Sequence, residues 1–121
     1  MNWVLRPTFA VIMLLPATAD AAGFAHCLLS RLPGADNDAM ARAALHLCLQ
    51  SNPGGFLSVE QGAGRGLFSF KSGAECTIEK AKGTRSNQAA HLIASACRKL
   101  YDEPARSEVE DFLDAAEARR K

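Results

Sequence analysis

The chain has 121 residues, 48% of them hydrophobic, and its 14 Lys and Arg against 13 Asp and Glu give a formal net charge of +1. This length allows one small domain, and the balanced charge excludes the strongly basic character typical of nucleic-acid-binding domains. We therefore expect no nucleic acid among the partners.

Residues 1–21 have the pattern of a cleavable secretory signal peptide. Arg6 provides a positive start, Thr8 to Leu15 forms a short apolar run, and small residues suit cleavage after Ala19 or Ala21. An uncleaved anchor is the main alternative, but a membrane-spanning helix needs about 20 apolar residues. A buried N-terminal helix is a further alternative. We expect removal of the segment on export, which leaves a mature chain without a membrane anchor.

The remaining residues, 22–121, are predicted to form a single disulfide-stabilised domain. They contain all the cysteines: Cys27, Cys48, Cys76 and Cys97. An even number of cysteines in a short exported chain indicates a disulfide framework. A zinc site is the competing interpretation, but zinc ligands usually come in closely spaced pairs, and no two of these cysteines are that close. We predict no metal and no cofactor.

The cysteines belong to an internal duplication. Residues 27–48 and 76–97 are both C-x20-C segments, and Gly34 and Gly83 occupy the same position in each. Such self-similarity indicates one supersecondary unit present twice. Each unit is predicted to be a helix, a tight turn and a second helix.

Unit one covers residues from about 24 to 51. Its first helix is predicted to end at Pro33-Gly34, and Asp36 or Asn37 is expected to start the second. The apolar face of the first helix consists of Phe24, Cys27, Leu28 and Leu32. The apolar positions of the second helix are Met40, Ala44, Leu47 and Cys48.

The connector, residues 52–72, is rich in glycine and aromatic residues. Leu57–Val59 and Leu67–Phe70 could pair as a short β-hairpin. A flexible loop whose aromatic side chains cover the core is the favoured interpretation, because glycine mostly marks turns. No phosphate-binding glycine motif is present.

Unit two covers residues from about 73 to 101. Ser72 and Glu75 form a capping-box pattern, and the helix that follows is expected to stop at Gly83. A short strand at Thr77 to Lys80 is the alternative. Ser86 or Asn87 then begins a longer helix. Its apolar positions are Ala89, Ala90, Ile93, Ala96, Cys97 and Leu100.

A C-terminal helix is predicted over residues 103–120. Pro104 suits the first helical position because it has no N–H to lose, and the acidic-to-basic order of charges matches the helix dipole. Its apolar stripe is expected to dock on the two units or on another chain. The stripe consists of Ala105, Val109, Phe112, Leu113 and Ala116.

Four cysteines allow three pairings. Duplication favours Cys27–Cys48 and Cys76–Cys97, since a self-contained unit can be copied without rewiring, and swapped pairing between the units stays open. The predicted fold is therefore mainly α. It comprises two disulfide-linked helical hairpins, a glycine-rich connector with or without a short β-hairpin, and a C-terminal helix.

The pattern resembles a loosely defined group of small exported bacterial proteins with four cysteines. The resemblance implies a disulfide-bonded periplasmic or secreted domain and adds no catalytic residue. Met40-Ala41 departs from the Ala-Ala usual in the group. The residues that carry the resemblance are Cys27, Pro33-Gly34, Asn37-Asp38, Cys48, Cys76, Gly83-Thr84, Ala89-Ala90, Cys97-Arg98 and Tyr101.

Candidate catalytic residues are scarce. No nucleophile motif or redox C-x-x-C is present, and the available bases are His26, His46 and His91. We expect no catalytic residue. The predicted function is that of a non-catalytic exported binding or structural module of the bacterial cell envelope, and its partner is expected to be an unknown protein or envelope component. A small periplasmic enzyme or accessory that uses a histidine, and a secreted effector or inhibitor, are the alternatives.

Overall fold

The structure, a computed structural model, describes residues 22–104 and 108–121, and the architecture of these residues is mainly helical. The predicted signal peptide lies outside these residues. The α-helices in chain order are α1 (Gly23–Arg31), α2 (Asp38–Ser51), α3 (Gly73–Lys80), α4 (Asn87–Tyr101) and α5 (Glu108–Ala118), with a 3-10 helix at Gly55–Ser58.

The two units are confirmed as helical hairpins. Gly34 and Gly83 both have positive φ, +80° and +70°, which is why glycine stands at the same place in each turn. Asn37 and Ser86 also correspond, and each caps the helix that follows. Their side chains accept hydrogen bonds of 3.0 Å from the Met40 and Ala89 N–H groups.

The disulfides join Cys27 to Cys48 and Cys76 to Cys97, so the intra-unit pairing is confirmed. The Cα atoms of the two pairs are 5.7 and 5.5 Å apart. In unit two the helices approach closely because α3 begins with glycine: a Cβ on Gly73 would lie 2.7 Å from the Arg98 Cα. Each bridge stabilises the fold by about 3 kcal/mol, because it closes a loop and so restricts the unfolded chain.

Helix α4 lies at the centre and packs against α1, α2 and α3. The fully buried side chains come from both units, so the two hairpins share one core rather than forming two domains. The largest of them are Phe24, Leu28, Leu32, Ile93, Leu100, Cys48, Cys76 and Cys97.

The predicted apolar face of α2 is partly wrong. Met40 and Leu47 are 50% and 44% exposed, whereas Ala41 and Ala44 are buried. The bridge at Cys48 sets the rotation of the helix: residues four and seven positions before Cys48 turn inward with it, and Met40 and Leu47 each lie one position further round.

The secondary structure of the connector and of α3 differs from the alternatives considered. The described residues contain no strand, so Leu57–Val59 and Leu67–Phe70 form no hairpin, and Thr77 to Lys80 is helical. Leu67 and Phe68 are almost fully exposed, while Phe56 and Phe70 pack against the core. Part of the aromatic cover expected of the connector is therefore present.

The C-terminal helix does not begin at residue 103 as predicted. Pro104 lies outside α5, which begins at Glu108. Asp102 is extended after α4, and the residue directly before Pro104, Glu103, is biased against helix by the proline ring. Ala105 lies outside the described residues.

Candidate functional site

The connector positions the candidate site by closing the C-terminal end of α4. The last carbonyls of a helix have no partner within the helix. Here the Gly62 and Gly64 N–H groups donate to the carbonyls of Lys99 and Leu100, at 2.8 and 2.9 Å. The Arg65 guanidinium donates to the Tyr101 carbonyl at 2.8 Å. The connector is thus hydrogen-bonded to main-chain carbonyls at the end of α4.

Two further side chains complete this junction. The Gln61 amide donates to the Arg98 carbonyl at 2.8 Å and to the Asp102 carbonyl at 3.1 Å. The Asp102 carboxylate accepts from the Gly73 N–H at 2.7 Å and so joins the end of α4 to the start of α3. The connector, α3 and α4 therefore meet at one end of the molecule.

A shallow hollow of about 300 Å³ lies beside this junction. It collects side chains from α1, the connector, α3 and α4, and hence from both units. Its lining consists of His26, Leu29, Ser30, Phe70, Lys80 and Tyr101.

The aromatic part of the hollow is an edge-to-face pair. The ring centroids of Phe70 and Tyr101 are 5.2 Å apart and the rings are inclined at 77°. Leu29 and Tyr101 are buried and Phe70 is half-buried, so these side chains provide a fixed apolar surface.

The polar part of the hollow is basic. Lys80 is half-buried and forms no ion pair with any described residue, and the exposed His26 adds a second basic group. Ser30 donates its hydroxyl hydrogen to the Cys27 carbonyl at 2.9 Å. None of the lining residues is acidic. The hollow therefore suits a ligand that combines an apolar group with a negative charge.

Phe70 also lines a second, open depression of about 490 Å³ at the tip of the connector. Its lining again contains basic residues, Arg65 and Lys71, and no acidic residue. Arg65 is paired with Glu103 at 3.3 Å, whereas Lys71 forms no ion pair with a described residue. The basic character of the hollow thus continues across Phe70.

The structure distributes the candidate histidines over three helices. Only His26 lines the hollow. His46 shares a 3.2 Å hydrogen bond with Gln50 on the exposed side of α2, and His91 is exposed on α4. The cysteines all lie in the disulfides. Within residues 22–104 and 108–121 no three His, Cys, Asp or Glu side chains are grouped so as to hold a metal ion.

Sequence reasoning did not find the hollow. Of its six residues only His26 was considered as a candidate, because the other five have no chemistry-specific spacing and come together only through the fold. A basic residue near the end of α3 and an aromatic residue at the end of α4 were the available signals.

Comparison of the chain with protein-family models, with curated proteins and with solved structures found no match. None of the described helices is long and apolar enough to cross a membrane. The two disulfides are typical of an oxidising, extracytoplasmic compartment.

Proposed function

We propose that the protein is an exported, non-catalytic binding module of the bacterial cell envelope, periplasmic or secreted, and that it binds through the hollow at His26 and Lys80. The signal-peptide pattern and the resemblance to small exported four-cysteine proteins support the compartment. The two disulfides are consistent with it.

The observation that carries the proposal is the composition of the hollow. Lys80 has no acidic partner there, and it lies beside the fixed aromatic surface of Phe70 and Tyr101. An unpaired cation next to apolar surface provides both orientation and burial for an anionic ligand. We therefore assign the ligand to the class of carboxylates or similar anions that carry an apolar group.

A titration with phenylacetate, followed by NMR on the oxidised protein, tests this proposal. Phenylacetate has ten non-hydrogen atoms, and about 0.3 kcal/mol for each atom corresponds to a dissociation constant of several millimolar. We expect shifts centred on His26, Phe70 and Tyr101. Lys80→Ala should weaken binding by about three- to tenfold, or roughly 0.6 to 1.4 kcal/mol, because solvent screens an ion pair in a partly exposed site.

One control is a variant and the other is a ligand. Lys82→Ala removes the same charge as Lys80→Ala, but Lys82 is paired with Glu79 at 3.0 Å and lies outside the hollow. Phenethylamine is the ligand control, because it carries a positive charge in place of the carboxylate. Equal shifts with phenethylamine, or binding that is insensitive to Lys80→Ala, would contradict the proposal.

The histidine-dependent enzyme is the second candidate function, because His26 lies in the hollow. A general base needs to be held within hydrogen-bond reach of its substrate. The His26 ring makes no hydrogen bond to a described side chain, so no described side chain orients it for that role by a hydrogen bond. A bound carboxylate that the wild-type protein leaves chemically unchanged favours the binding module. Turnover of any bound carboxylate that His26→Ala abolishes would favour the enzyme.

A further inference from the structure

The connector displays two large apolar side chains at the apex of a tight turn. Leu67 and Phe68 are 91% and 97% exposed, and with Leu57 they are the most exposed large apolar residues in the described part of the chain. They occupy the two central positions of the turn from Gly66 to Ser69, where small or polar residues are usual. Two adjacent apolar residues at this place indicate a contact with an apolar surface outside the fold.

The turn projects from a fixed base. The Gly66 N–H donates to the Ser69 hydroxyl oxygen at 2.9 Å, and the Ser69 N–H donates to the Gly66 carbonyl at 3.4 Å. On one side of the turn Arg65 is hydrogen-bonded to the end of α4, and on the other side Phe70 packs against Tyr101. The backbone groups that close the turn are therefore paired already, which lowers the cost of moving the apex out of water.

Basic side chains lie on both sides of the apex. Arg65 and Lys71 line the open depression of about 490 Å³ beside it, and no acidic residue lines that depression. Two carboxylates contact these residues from outside. Glu103 pairs with Arg65, but its side chain is 80% exposed, so solvent weakens the pair. Glu75 accepts from the main-chain N–H of Lys71, whose ammonium group forms no ion pair with a described residue.

We propose that this turn inserts reversibly into the surface of an anionic phospholipid membrane. Leu67 and Phe68 enter the boundary between headgroups and acyl chains, and the depression receives a lipid phosphate between Arg65 and Lys71. A membrane surface has anions directly above an apolar layer, which is the same order in which the turn presents cations and apolar side chains. A protruding apex also needs no preformed pocket in a bilayer, whereas a protein partner would have to provide one.

The contact is expected to be weak and separate from ligand binding. Two apolar side chains are less than one acyl chain, which by itself gives only marginal, reversible membrane binding. The depression shares only Phe70 with the hollow, so membrane contact and carboxylate binding are tested independently.

Tryptophan fluorescence of the oxidised protein tests the proposal. The chain has a single tryptophan, Trp3, so Trp3→Phe combined with Phe68→Trp places the only tryptophan at the apex. We expect its emission to shift to shorter wavelength when phosphatidylglycerol vesicles are added at millimolar lipid, and to be quenched by bromine-labelled acyl chains. Leu67→Ser in this background should weaken the vesicle binding.

The matched control is Leu57→Trp in the same Trp3→Phe background. Leu57 is 98% exposed in the same connector but lies in the 3-10 helix, outside the turn. Both proteins have the same N-terminal segment, so that segment produces no difference between them. We expect neither a shift nor quenching for the Leu57→Trp protein.

Charge variants test the depression. Lys71→Ala should weaken binding to phosphatidylglycerol vesicles about fivefold, the usual effect of one basic residue at an anionic membrane surface. Added salt should reduce this difference. Lys82→Ala is the control, because Lys82 is exposed, pairs with Glu79 and lies outside the depression.

Four results would overturn the inference. The first is an absence of any shift for the Phe68→Trp protein with phosphatidylglycerol vesicles, and the second is an equal shift for the Leu57→Trp protein. The third is equal binding to phosphatidylcholine vesicles, which would remove the anion from the contact. The fourth is a shift produced by a lipid-free extract of envelope proteins and by no vesicle, which would assign the turn to a protein partner.

Discussion

Asp38 connects the turns of the two units. Its carboxylate accepts a 2.6 Å hydrogen bond from the Ser86 hydroxyl and a 3.4 Å bond from the Gln88 N–H at the start of α4. Nearby, the Arg85 and Ser86 N–H groups both donate to the Ala35 carbonyl at 3.1 Å. The α4 N-terminus is therefore stabilised by unit one as well as by its own cap.

These contacts lower the pKa of Asp38, with the Ser86 hydroxyl as the main cause, then the Gln88 N–H, and a smaller effect from the Arg42 charge. A lowered pKa in the folded state means that the stabilisation is present above the unfolded-state pKa of about 3.9. It is lost as pH falls through the still lower folded-state value.

We predict that Asp38→Asn lowers the melting temperature at pH 7, and that the difference from wild type shrinks as pH falls below about 3.9 and disappears below the lowered folded-state pKa of Asp38. Melting followed by circular dichroism across pH measures this. Asp36→Asn is the control, because Asp36 makes no hydrogen bond through its side chain to a described residue. A difference that stays constant with pH would show that the charge of Asp38 is not the cause.

At the scale of elements, the connector acts as a cap for α4. Segment 61–65 places two main-chain N–H groups and two side chains on the carbonyls at the helix end. Close approach of this segment requires a residue without a Cβ: one added to Gly64 would lie 2.8 Å from the Tyr101 ring and 3.0 Å from the Leu100 Cβ.

We predict that Gly64→Ala destabilises the fold by about 1 to 3 kcal/mol, the usual range for overpacking at a tight contact. Gly66→Ala is the matched control: a Cβ there meets no atom within 4 Å, so its effect should stay within about 0.5 kcal/mol. Urea unfolding of the oxidised variants measures both. Equal effects would mean that the contact of Gly64 with Tyr101 does not hold the connector in place.

At the scale of the whole molecule, the two units contribute unequally to the shared core. Helix α3 buries only Gly73 and Cys76, whereas α1 buries four residues including Phe24 and Leu28, so we expect unit two to depend more on its bridge than unit one does. The units are equal in pattern but unequal in packing. Leu29 and Ile78 correspond in the duplication, yet Leu29 is buried and Ile78 is exposed. Helix α1 packs against α2 and α4, while α3 packs mainly against α4.

We predict that protein purified from a bacterial host after expression from its own start begins at Asp20 or Ala22 and contains both bridges. Intact mass after denaturing alkylation should show no added groups before reduction and four after it. The Cys76→Ser/Cys97→Ser variant, with one bridge left, should take up two. A precursor-length mass, or four groups added without reduction, would contradict the assigned compartment.

Local patterns in the sequence were enough to predict the helical hairpins, their glycine turns, the cap at Ser72 and the disulfide pairing favoured by the duplication. Each depends on residues close in the chain or on a repeated spacing, and such interactions keep their geometry wherever the segment lies. For the start of α4 these patterns left Ser86 and Asn87 as alternatives, and the structure has Ser86 as the cap. The predicted capping box is only half present: the Ser72 hydroxyl accepts from the Glu75 N–H, but the Glu75 carboxylate accepts from the Lys71 N–H and not from the Ser72 N–H.

Tertiary structure alone decided which faces are buried. Met40 and Leu47 are apolar at helical spacing, but the bridge at Cys48 turns them outward; Phe112 is apolar too, and its own chain leaves it exposed. The hollow combines Phe70, Lys80 and Tyr101, which lie on three elements and meet only because the connector closes the end of α4. Which helix faces are buried, and which residues meet in the hollow, depend on how segments distant in the chain pack together. No local spacing of residues encodes that packing.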